Sequence, residues 1–112
     1  TITDRNFDIY ELNSAAVEFC RRQYASEKQI YRVQLVLEEM LLNIILPQLE
    51  DGKIAVDVTV EYSVKDSRLA VFISSAEPFT LRESGEDDLS MFMLRAVCTD
   101  IAEEQNGVRL YL

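Results

Sequence analysis

Hydrophobic positions change their period along this chain, and each change marks an expected element. From Arg5 to Leu12 the residues alternate, Phe7, Ile9 and Glu11 against Asp8, Tyr10 and Leu12, which predicts a short opening strand. Asn13 or Ser14 then offers a side-chain cap for a first helix through Ala15, Val17, Phe19 and Cys20, ending near Tyr24. Ser26 and Gln29 form a capping-box pattern, followed at helical spacing by Ile30, Val33, Leu37, Met40, Leu41, Ile44 and Ile45. This second helix is expected to stop near Leu46, because Pro47 lacks an amide hydrogen and disfavours helical geometry in the residue before it.

Beyond Glu50-Asp51-Gly52 the period falls to two. Ile54, Val56, Val58, Val60 and Tyr62 alternate with Ala55, Asp57, Thr59 and Glu61, as in a strand with one buried face. Lys65-Asp66-Ser67-Arg68 is a polar turn, and Leu69 to Ile73 is a second apolar, β-branched run, so the two predict an antiparallel hairpin. Ser74 to Asp87, with Pro78 and Gly85, has no period and reads as a loop. Asp88 is a good cap for a third helix carrying Leu89, Phe92, Met93, Ala96 and Val97. Asn106-Gly107 fits the turn of a last hairpin between Ile101–Gln105 and Val108–Leu112; the rival reading runs the helix on to Glu104 and caps it at Gly107. The element order predicts an α+β fold, a two-layer α/β sandwich whose mixed, mostly antiparallel sheet carries about three helices on one face. Its 112 residues suit a single domain spanning 1–112.

Charge narrows the partners. With 20 acidic and 11 basic residues the net charge is −9, a field that repels nucleic-acid phosphates and anionic lipid alike. No run approaches the roughly 20 apolar residues that cross a bilayer. Thr1 to Asn6 are polar and hold no apolar signal core, so the expected location is cytoplasmic. There is no His, and Cys20 and Cys98 lie in apolar helical settings expected to bury them as free thiols. Zinc sites and Ser–His or Cys–His catalysis are therefore out of reach within one chain. Carboxylates, amides, hydroxyls and a hard cation such as Mg²⁺ remain. The five tyrosines are spread along the chain and are expected to be half-buried packing residues.

Within the second helix Glu39 and Asn43 lie four residues apart, which stacks them on one stripe inside the apolar run Leu37 to Leu46. A carboxylate and an amide so placed can hold a hydrated Mg²⁺ and orient a water or a hydroxyl. Periodicity alone favours the plainer reading, in which Glu38 and Glu39 are the solvated stripe of the helix and Asn43 is a polar residue at its edge.

The run Leu37-Glu38-Glu39-Met40-Leu41-Leu42-Asn43-Ile44-Ile45 resembles the N-box helix of the histidine-kinase-like ATPases, and most of all their anti-sigma-factor serine kinase branch. Phe92-Met93-Leu94-Arg95-Ala96-Val97 is similar to that family's final helix, and the element order to its α/β sandwich. The resemblance implies Mg²⁺ and ATP as cofactors, a serine protein kinase activity, and a sigma factor or antagonist protein as partner, with homodimers common. Glu39 takes the role of base or water-orienting group and Asn43 that of Mg²⁺ ligand. The family's first glycine box falls at Ser74-Ser75-Ala76-Glu77-Pro78, without its adenine-reading Asp. Its second falls at Asp88-Leu89-Ser90-Met91, with Asp88 and Ser90 at glycine positions. Ser74, Ser75, Asp88 and Ser90 are thus the cofactor-binding candidates beside Asn43. Glycine lets backbone amides approach phosphate closely, whereas Asp87 and Asp88 oppose it with charge. The alternative is a nucleotide-free interaction module that keeps the fold and fills the pocket with Phe79, Leu81 and Met91.

Overall fold

Side-chain caps decide where the helices begin. In the computed structural model, which describes residues 1–81 and 89–112, Asp8 accepts hydrogen bonds from the Tyr10 and Glu11 amides and opens α1, Ile9–Arg22. The strand expected over Arg5–Leu12 does not form. Ile9, Leu12, Ala16 and Cys20 make a helical stripe against the core, and this longer repeat prevails over the short alternation that begins at Phe7. Asn13 is consequently a buried residue inside the helix and not its cap.

The end of α1 is a Schellman turn: the Ala25 amide bonds the Cys20 carbonyl at 3.0 Å and the Tyr24 amide bonds Arg21 at 3.1 Å. Its left-handed position, φ 60°, is held by Tyr24, 92% exposed, where glycine is the usual residue. Tyr24→Gly is therefore expected to raise stability by about 0.5–1 kcal/mol, read as a higher urea midpoint at unchanged slope. A lower midpoint would contradict the strain assigned to this turn.

Ser26 and Gln29 form the expected reciprocal capping box at the start of α2, Glu27–Glu38. The expected helix does not continue unchanged to Leu46: Glu39–Ile45 widen into a π-helical segment, and Leu46–Gln48 close it as a 3₁₀ turn containing Pro47. α3, Leu89–Val97, packs against the π segment. Its expected cap, Asp88, lies outside the described residues. No helix among the described residues is long and apolar enough to cross a membrane.

β1, Val56–Ser63, β2, Arg68–Ser75, β3, Asp100–Glu104, and β4, Gly107–Tyr111, form one sheet in the order β1-β2-β4-β3. Every pairing is antiparallel. Glu104 pairs with Gly107, so the last turn is Gln105-Asn106, one residue earlier than expected, with Asn106 at φ 56°. The rival helix to Glu104 is not formed.

The register aligns Val60, Val71, Leu110 and Ile101 across the face that meets the helices. Leu37, Met40, Leu41, Ile45 and Leu94 close over it, all fully buried. The opposite face is polar: Arg109 stacks over the Phe72 ring and pairs with Glu61 at 3.2 Å and Glu104 at 3.3 Å. The result is the two-layer α+β arrangement that the element order predicts.

Candidate functional site

Where the π segment meets α3, three of the residues singled out by the sequence come together. Glu39, half-buried, opens the segment, and its Oε2 accepts a hydrogen bond from Asn43 Nδ2 at 2.9 Å. The same oxygen accepts a second from Ser90 Oγ at 2.8 Å, a bond that joins residues on two helices. A carboxylate is a strong acceptor, and charge assistance makes such bonds shorter and firmer than neutral ones. π turns inside helices are frequent at functional sites.

The other candidates are not brought to this point. Along β2, Leu69, Val71 and Ile73 face the core. Ser74 therefore falls on the face away from the helices, in a row with Asp57 and Gly107. Ser75 faces inward and is 6% exposed, its Oγ without a hydrogen-bond partner among the described residues. Asp88 lies outside the described residues.

Mg²⁺ binds about six oxygens in a near-octahedral shell and gains from carboxylates. Asn43 offers one neutral oxygen, and Glu39 offers Oε1, its Oε2 already holding two donors. Among the described residues no three His, Cys, Asp or Glu side chains converge. The Ser90 hydroxyl, at a glycine-box position, bonds the carboxylate and is not turned to a phosphate. Of the cofactor-binding candidates among the described residues, Ser75 has a buried hydroxyl without a partner, and one hydroxyl does not hold a triphosphate. Among the described residues, which leave out Asp88, this donor set falls short of what Mg-ATP requires.

Apolar side chains occupy the neighbouring space. Leu81 and Met91 belong to the core at 8% and 4% exposure, and Phe79 packs against it. Gln48 fixes their segment to the end of the π helix: its Nε2 donates to the Ile44 and Thr80 carbonyls, both at 2.8 Å, and its Oε1 accepts from the Thr80 amide at 2.9 Å. Cavities of about 390 and 330 Å³ flank Leu81, with Glu103 in both walls.

Neither thiol adds chemistry. Cys20 and Cys98 are free, and burial pushes Cys98 up to about 11, against a smaller opposing effect of Arg32. It stays protonated near neutrality and is a poor nucleophile.

Sequence reading missed Gln48, whose partner is 32 residues away, and a bond from Asn13 Nδ2 to Glu38 Oε1 at 3.0 Å. Placing the first helix to start at Asp8 would have turned Asn13 toward α2. Three of the five tyrosines depart from expectation: Tyr10, Tyr24 and Tyr31 are 77%, 92% and 66% exposed, whereas Tyr62 and Tyr111 are half-buried as expected. Comparison with protein-family models, with curated proteins and with solved structures finds no match to this chain.

Proposed function

We propose that this chain is a bacterial, cytoplasmic regulatory domain of the anti-sigma-factor serine kinase type. It acts by contact with a protein partner, a sigma factor or an antagonist protein, and its Mg-ATP site no longer serves nucleotide. The observation that carries this reading is the Glu39 carboxylate, whose Oε2 is bonded by both Asn43 and Ser90. A base or water-orienting group needs a free lone pair facing the reacting hydroxyl. Here Oε2 is taken up as a link between two helices, which leaves Oε1 alone for that role. The burial of Leu81, and of Met91 next to Ser90 on α3, supports the same view.

Titration of the purified protein with ATP and Mg²⁺ by calorimetry tests the proposal, with Asn43→Ala run in parallel. No heat at millimolar ATP is the expected outcome. Saturable binding that disappears in the variant would overturn it in favour of a working kinase, with Glu39 activating the partner's serine hydroxyl.

A further inference from the structure

A groove of about 520 Å³ runs between α1 and α2 on their exposed side. Asn13, 7% exposed, lies in its wall with Nδ2 bonded to Glu38 Oε1 and Oδ1 left without a partner. Glu38, half-buried, has no other hydrogen bond or ion pair among the described residues. The remaining charges of the groove are already answered: Glu18 pairs with Arg22, and Arg21 with Glu27 at 3.4 Å. What the groove lacks is a donor, and its uncompensated charge is that of Glu38.

Its flanks are those of an interface. Tyr10 stands 77% exposed in the wall and half-buried Val17 lines it. Tyr31 follows the same α2 stripe as Gln34 and Glu38. Exposed tyrosine is favoured in protein interfaces, and its ring face attracts cations.

We infer that this groove docks a helical segment of a partner protein, whose basic side chain reaches Glu38 while its apolar flank lies on Val17 and the Tyr10 ring. A net charge of −9 draws a basic partner and repels a second copy of the chain. The inference rests on the reading that this domain works through a protein partner, and it adds the place and the chemistry of the contact.

The test titrates the ¹⁵N-labelled protein with an amphipathic helical peptide of Leu, Ala and Arg, and with a counterpart in which each Arg is Glu. The expected result is saturable shifts confined to the Asn13 side-chain amide, Val17 and Gln34, produced by the Arg peptide alone. Glu38→Gln keeps the acceptor for Asn13 and removes the charge, and is expected to weaken binding about tenfold. Glu103→Gln, on β3, is expected to leave it unchanged. Shifts scattered over the acidic surface, equal weakening by the two variants, or no binding would overturn the assignment. No nucleotide is present here, so a silent groove leaves the ATP result standing, and ATP binding would not by itself remove the groove.

Discussion

Leu41→Ala is expected to lower the unfolding free energy by about 3 kcal/mol, within the range of buried leucine truncations. Leu41 is fully buried in the π segment, in the cluster that joins the helices to the sheet. Truncation removes apolar contacts and leaves a cavity that a layer packed from both sides cannot close. Against a total stability of about 5–15 kcal/mol this is a severe loss. Leu42, the next residue, is 42% exposed, and Leu42→Ala is expected to stay within about 0.5 kcal/mol of the parent. Urea unfolding of the pair checks the register of the π segment. Equal losses at both positions would mean that the turn presents a different side to the core.

Gly107→Ala is expected to cost about 2 kcal/mol, as overpacking of a well-filled site does. A Cβ there would stand 3.0 Å from the Ile73 carbonyl oxygen and 3.2 and 3.3 Å from two Phe72 ring atoms. The ring can turn aside, but the carbonyl belongs to the ladder between β2 and β4, where Ile73 pairs with Val108. In a Phe72→Ala background the cost should shrink without vanishing. Thermal unfolding of the four proteins of the cycle measures the difference. A wild-type midpoint for Gly107→Ala would show that the two strands part more easily than their packing implies.

Much of the fold was legible because local chemistry and burial agree. Ser26 with Gln29, the alternation from Val56 to Tyr62 and the apolar stripe of α3 each mark one element, and only the end of α3 had a rival. The opening of the chain misled because Phe7, Ile9 and Glu11 satisfy a period of two over a few residues, while Ile9, Leu12, Ala16 and Cys20 satisfy the helical period over more than three turns. The Glu39 and Asn43 pair was visible from spacing alone. The bond from Ser90 spans 51 residues, and no local pattern carries it. Ser74 is different: the parity of Leu69, Val71 and Ile73 already turns it outward, so its removal from the site could have been read from the alternation.

The strand order also governs how this protein can be made. β4 lies inside the sheet, between β2 and β3, although it is the last of the four in sequence. On a ribosome β1 and β2 can pair as soon as both have emerged, but β3 then has no strand to join. The open side of β2 stays available to other chains until residues 107–111 arrive. Assembly therefore steps from a two-stranded hairpin to the complete sheet in a single late event, and the interval before it is when the nascent chain is most exposed to misassembly.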